Sequence, residues 1–106
     1  MNDAKDFDPP AFRRKLWRLG VTECSEGYRV WMTGRYDETH YEEDGRSATM
    51  GSQMLLSPTG KEIWRASLRR WDPPHELEPL TDADRERIPA RVRAAGEWAG
   101  MRIVID

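Results

Sequence analysis

The chain has 106 residues, of which 17 are Lys or Arg and 19 are Asp or Glu, so its formal net charge is -2 at pH 7. The sequence therefore lacks the strong basic excess of a dedicated nucleic-acid binder, and its single cysteine, Cys24, excludes an internal disulfide. No apolar run approaches the roughly 20 residues of a membrane span, and no signal peptide is recognisable. These features predict one cytoplasmic domain over residues 1–106, with residues 1–7 disordered.

A first helix is predicted over residues 9 to 19. Asp8 can serve as its N-cap and Pro9 as its first residue. Gly20 follows as a natural C-cap. Between them, apolar residues recur at the spacing of one helix face, which is expected to pack on the core.

A period of two begins at Tyr28 and is typical of antiparallel strands with one buried face. Asp44-Gly45 is the signal of a two-residue hairpin turn, and the alternation resumes at Arg46. Gly51 interrupts that strand and is expected to mark a bulge or a second tight turn. The pattern predicts a meander of strands at residues 28 to 34, 38 to 43, 46 to 56 and 62 to 70.

The stretch from 61 to 74 is expected to end at the double proline Pro73-Pro74, which continues neither a helix nor a strand ladder. As a strand, it would place Trp64 and Leu68 on one face, together with Ala66. A helix remains open as an alternative, because Trp64, Leu68 and Trp71 are also spaced for one helix face. The turn chemistry just before the stretch favours the strand.

The C-terminal part predicts a second helix and a last strand. Thr81 has N-cap chemistry, and acidic residues follow it in the first turn. Pro89 opposes an uninterrupted helix, so the helix is expected to be kinked or to start late. Gly100 should end it before a strand at 101–105. The predicted fold is therefore α+β: a single domain with an antiparallel meander sheet, an N-terminal helix and a C-terminal helix packed on it, and a closing C-terminal strand.

No residues form a recognisable catalytic or metal-binding set. His40 and His75 stand in no spacing typical of a metal site or a triad, and Cys24 has acidic neighbours that oppose thiolate formation. Glycine-rich phosphate loops and nucleophile motifs are absent. We therefore expect no catalytic residue, no metal and no cofactor.

The segment from 37 to 44 contains five carboxylates and no Lys or Arg. Such a cluster, with tyrosines nearby, suits a basic surface on another protein, since opposite charge speeds association and aromatic rings supply contact area. The residues expected to make this contact are Trp31, Tyr36, Asp37, Glu38, Tyr41, Glu42, Glu43 and Asp44.

Residues 28–106 resemble small bacterial immunity proteins of polymorphic-toxin and contact-dependent growth inhibition systems. The resemblance rests on WDPP at 71–74, a short loop, TDADR at 81–85 leading into an amphipathic helix, and the closing strand at 101–105. It implies a cytoplasmic protein that forms a heterodimer with the C-terminal domain of one cognate toxin, often a nuclease, and blocks its active site. It implies no membrane partner.

Two other classes stay open as alternatives. A nucleic-acid-binding or regulatory module would use its arginine-rich helices, and an enzyme would need a cleft that no motif announces. The arginines of the first alternative are Arg13, Arg14 and Arg18, or Arg87, Arg91 and Arg93. Acidic residues interleave with the second group, which favours pairing within the helix over binding of phosphates.

Overall fold

The computed structural model describes residues 11–14, 20–33, 38–55 and 60–106. In these ranges seven strands form one sheet, and their order across the sheet is their order along the chain. The strands are β1 (Phe12–Arg14), β2 (Thr22–Cys24), β3 (Tyr28–Thr33), β4 (Glu38–Glu43), β5 (Arg46–Leu55), β6 (Gly60–Ile63) and β7 (Arg102–Ile105). A 3₁₀ turn spans Arg65–Ser67, and helix α1 spans Asp82–Trp98.

The sheet is an antiparallel meander from β1 to β6, but its last pair is parallel. Each strand up to β6 pairs antiparallel with the one before it. Between β6 and β7 the chain crosses over through α1, so β7 returns in the same direction as β6. The predicted antiparallel sheet is therefore wrong for the sheet as a whole, which is mixed, although β3, β4 and β5 pair as the predicted meander requires.

The turn between β4 and β5 determines how these two strands align. Asp44 and Gly45 both have positive φ angles, 48° and 76°, as a two-residue hairpin turn requires. The turn pairs Glu43 with Arg46, and the ladder continues to Glu38 opposite Gly51. The predicted hairpin is therefore confirmed, and its register decides which side chains share a face.

Helix α1 packs on one face of the sheet and closes the core. A Cβ at Gly96 would lie 2.6 Å from carbon atoms of Ile103, so a glycine allows α1 and β7 to approach this closely. Buried apolar side chains of the sheet, of α1 and of the segment after β6 meet in this core: Cys24, Tyr28, Val30, Tyr41, Ala48, Met50, Ile63, Leu68, Trp71, Ile88, Val92, Ala95 and Ile103.

Helix α1 begins and ends close to the predicted positions. Thr81 forms a capping box with Asp84, because each side chain accepts a hydrogen bond from the other's backbone amide. The helix runs through Pro89, which is buried, although proline has no amide hydrogen for the carbonyl of Arg85. It therefore does not start late, and Gly100 follows its end with φ 90°.

The predicted N-terminal helix is wrong where the structure describes that part of the chain. Phe12–Arg14 is the edge strand β1, paired with Thr22–Cys24. Backbone and side-chain bonds between Ala11 and Ser25 hold its start. Pairing with β2 thus prevails over the local helical pattern, and the remaining residues of that prediction lie outside the described ranges. Over the described ranges, the predicted α+β fold with two helices is replaced by a mostly β fold with one C-terminal helix.

The strand predicted at 62 to 70 is also wrong beyond Ile63. After β6 the amide of Trp64 donates to the carbonyl of Gly51 on β5, and the chain then makes the 3₁₀ turn. Beyond the turn the amide of Asp72 donates to the carbonyl of Ser47, also on β5. Neither the strand nor the helical alternative placed Trp64 and Leu68 correctly. Leu68 is buried and Trp64 is 38% exposed.

Candidate functional site

The predicted contact residues are divided between the two faces of the sheet. Successive side chains of a strand point to opposite faces, so Glu42 lies on one face of β4 and its neighbours Tyr41 and Glu43 on the other. We call the side of β3, β4 and β5 turned away from α1 the far face. It carries Arg29, Trp31, Thr33, Glu38, His40, Glu42, Ser47, Thr49 and Gly51. Tyr36 and Asp37 lie outside the described residues.

Tyr41 lies against α1 and is fully buried. Its ring stacks on Tyr28 with the centroids 5.6 Å apart. Its hydroxyl donates to Glu43 and accepts from Arg91 at 3.0 Å. Burial, reinforced by the bond to Glu43, raises the pKa of Tyr41 to about 12. In this position the ring has no surface to offer a partner.

Glu43 joins the sheet to the helix. Its carboxylate accepts two bonds from the Nη2 of Arg87, at 3.0 and 3.1 Å, and one from Nε at 3.2 Å. Arg87 also donates to Asp84 at 2.6 Å. Burial acts to lower the pKa of Arg87, but the bonds to Asp84 and Glu43 outweigh it and raise the pKa. The negative charge of Glu43 is therefore matched inside the molecule.

The other carboxylates that were predicted to contact a partner differ in their exposure and in their ion pairs within the protein. Glu42 forms an ion pair with Arg29 at 2.7 Å, and both side chains are 31% exposed. Glu38 is more exposed and lies 3.7 Å from the Nε2 of His40. Asp44 is exposed in the turn. The hairpin thus presents fewer unmatched charges than the five carboxylates in its sequence indicate.

An aromatic pair lies at the centre of the far face. The rings of Trp31 and His40 are stacked, 5.3 Å apart and inclined by 15°. Thr49 donates to Asp72 at 2.9 Å, so its oxygen is left to accept from the Nδ1 of His40, 3.1 Å away. Nε2 then faces the hydroxyl of Thr33 at 2.7 Å. These contacts hold the imidazole, and with it the stack, in one orientation.

A third aromatic ring lies on the same face beside β5. A Cβ at Gly51 would be 2.9 Å from the ring of Trp64, so the indole lies directly on the glycine. Ser67 accepts from the amide of Gly51 at 2.8 Å and donates to the carbonyl of Trp64. Gly51 pairs with Glu38, and His40 pairs with Thr49. Trp64 therefore lies over the row of far-face side chains next to the row that contains the stack.

Sequence reasoning missed His40, Trp64 and Asp72 as parts of this surface. The hairpin turn at Asp44-Gly45 could have shown that His40 faces Thr49, because its register follows from the turn. Nothing local indicated that Trp64 returns to lie on Gly51. That contact depends on the path of the chain after β6.

The far face has the composition of a binding surface. Within the described ranges no three His, Cys, Asp or Glu side chains are gathered as metal ligands. Nor does that part of the chain contain a helix long and apolar enough to cross a membrane. Half-buried aromatic rings among hydrogen-bonding groups are typical of protein interfaces.

The family model of immunity protein 74 matches residues 33–106. The chain belongs to the immunity protein 74 family. The resemblance to small immunity proteins is thereby confirmed, and the matched range includes β4 to β7, α1 and both His40 and Trp64. No curated protein and no solved structure matches the chain.

Proposed function

We propose that the protein neutralises one cognate toxin by binding the toxin's C-terminal domain directly, as a one-to-one heterodimer in the cytoplasm. The observation that carries this proposal is the stack of Trp31 on His40, held in one orientation on the sheet face that α1 leaves uncovered. Large aromatic side chains that are rigid before binding lose little entropy in a complex and are common hot spots.

The proposed contact set differs from the predicted one at four residues, because two are left out and two are added. Trp31, Glu38, Glu42 and Asp44 are kept, since they are at least partly accessible, and Tyr36 and Asp37 stay predictions. Tyr41 and Glu43 are left out, because their side chains are engaged with α1. His40 and Trp64 are added.

A nuclease is the toxin class that the resemblance implies, and we keep it in the proposal. The accessible carboxylates Glu38 and Asp44 support a basic partner surface, as in the cleft that binds a nucleic acid. In this binding mode the protein covers the cleft and excludes the substrate.

The test is Trp31→Ala, with affinity for the toxin domain encoded beside this chain measured by calorimetry. The toxin domain would carry a substitution that abolishes its activity. We expect the Kd to rise by about 30- to 1000-fold, because losing a buried tryptophan at a hot spot costs about 2 to 4 kcal/mol.

Trp98→Ala is the matched control. Trp98 is 45% exposed and packs on Phe12, away from the far face, so its loss should leave the Kd within about threefold. Equal affinities for the two variants and the wild type would remove the far face from the interface. The absence of any complex with the wild type would overturn the proposal itself.

A further inference from the structure

The loop between Asp72 and Thr81 presents one leucine almost entirely to solvent. Leu77 is 94% exposed, whereas the other exposed large apolar side chains in the described part of the chain, Met54, Trp64 and Trp98, range from 36% to 45%. A side chain so exposed contributes little to the stability of its own fold. Isolated exposed leucines are common. Exposure alone therefore does not indicate a binding residue, and the contacts that hold the loop in place must be considered as well.

The first end of the loop is pinned to β5 through Asp72. Its amide donates to the carbonyl of Ser47 at 2.8 Å. Its carboxylate accepts from the hydroxyls of Ser47 and Thr49, at 3.1 and 2.9 Å. Trp71, immediately before it, is buried in the core. The chain therefore enters the loop from a fixed point.

The second end is held by Glu78. Its carboxylate pairs with Arg46 at 2.6 Å and with the Nδ1 of His75 at 2.6 Å. Its amide donates to the carbonyl of His75 at 3.0 Å. Leu80 packs against the core just beyond. Leu77 thus lies between two anchored points, and none of these contacts involves its side chain.

We propose that Leu77 is a preformed anchor that inserts into an apolar pocket of the toxin domain. This inference rests on the proposed function and adds a second contact to it. Ordering a loop on binding normally reduces affinity, and the bonds of Asp72 and Glu78 have already ordered this one. The pocket would have room for one leucine side chain, with cationic or hydrogen-bond-donating groups near the adjacent Glu76.

The base of the loop that carries this anchor adjoins the far face. Asp72 holds the loop through Thr49, and Thr49 also contacts His40 in the aromatic stack. A single partner that covers Trp31 and His40 therefore reaches the base of the loop. The two contacts would belong to one interface.

The first experiment is Leu77→Ala, with binding to the inactivated toxin domain measured by surface plasmon resonance. We expect the Kd to rise by about 10- to 100-fold, the loss that follows from removing one buried leucine side chain. Most of the change should appear as faster dissociation. The melting temperature of the free protein should stay unchanged, since Leu77 is not part of its core.

Met54→Ala is the matched control, because Met54 is a partly exposed apolar residue on the helix side of the sheet, opposite Lys61. It should bind within about twofold of the wild type. If Leu77→Ala also binds within twofold, the anchor is overturned while the proposed function stands. If the wild type forms no complex, the failure lies with the proposed function.

A second experiment tests whether Asp72 acts by positioning Leu77. Asp72→Ala removes the acceptor for both hydroxyls and should loosen the loop, so we expect weaker binding although Leu77 is present. In the Asp72→Ala background, Leu77→Ala should then cost much less than its effect in the wild type. Equal costs in the two backgrounds would overturn the role of preorganisation.

Discussion

At the scale of single residues, Tyr41 has a buried hydroxyl whose ionisation affects the stability of the fold. Its hydroxyl is buried between Glu43 and Arg91. Burial raises its pKa to about 12, compared with about 10 in an unfolded chain. The folded state therefore holds this proton more tightly than the unfolded state does. Stability from this group is complete below pH 10 and is lost as the pH rises towards 12.

The variant Tyr41→Phe should reveal this titration. The wild type should lose about 2 kcal/mol of unfolding free energy relative to the variant between pH 9 and pH 12. The measurement is a series of urea unfolding curves for both proteins across this range.

Comparison with Tyr41→Phe removes the effects of other groups that titrate in alkali, since both proteins contain them. A difference between the two proteins that stays constant with pH would mean that the hydroxyl ionises as easily in the folded state as in the unfolded state.

The burial of Tyr41 could have been predicted from sequence, but its partners could not. Alternation from Tyr28, combined with the turn at Asp44-Gly45, is sufficient to place Tyr41 on the same face as Val30 and Ala48. Arg91 lies 50 positions further along the chain. Its approach depends on how α1 crosses the sheet, which no local pattern encodes.

At the scale of elements, Glu43 connects β4 to α1, whereas Glu42 connects β4 only to its neighbour β3. Arg87 and Arg91 both approach Glu43 from the helix, and the carboxylate is only 15% exposed. The Glu42–Arg29 pair lies on the sheet surface. Charge pairs become more costly to break as they become less exposed.

Two isosteric variants separate these roles. We expect Glu43→Gln to lower the unfolding free energy by about 1 to 3 kcal/mol, because it leaves partly buried guanidinium groups without their counter-charge. Glu42→Gln should lower it by less than about 1 kcal/mol. Urea unfolding at neutral pH measures both, and equal losses would argue against a special role of Glu43 in docking α1.

Predictions of element boundaries succeeded where the sequence pattern was regular. They failed where pairing with a distant part of the chain decides the conformation. β4, the hairpin turn and the start of α1 at Asp82 follow from alternation and capping chemistry. The region around Phe12 carries a helical pattern but pairs with β2. Leu68 and Trp71 become buried through a segment without regular structure, so periodicity gave no guide to them.

At the scale of the whole molecule, the arginines that suggested a nucleic-acid module are mostly engaged within the protein. Arg13 pairs with Glu23, and Arg93 with Glu97. Arg87 and Arg91 serve the docking of α1, while Arg18 lies outside the described residues. With a net charge of -2, little positive potential remains to attract phosphates.

We therefore expect no measurable binding to nucleic acid. A fluorescently labelled DNA duplex at about 50 mM salt should show no change in anisotropy on addition of the protein, because binding without base contacts depends on phosphate neutralisation. The toxin domain under the same conditions serves as the positive control if it is a nuclease. Binding that weakens steeply as salt is added would restore the nucleic-acid hypothesis.

The order of the strands has a consequence for synthesis on the ribosome. Because sheet order follows chain order, β1 to β6 can pair as they emerge, but β6 keeps an open edge until α1 and β7 have been translated. Ile63 and Leu68 share a core with Ile88 and Ile103 and stay uncovered until then. At about 5 to 20 residues per second this interval lasts seconds. A nascent chain halted before β7 would expose the unpaired edge of β6, which could pair with a strand of another chain and lead to aggregation.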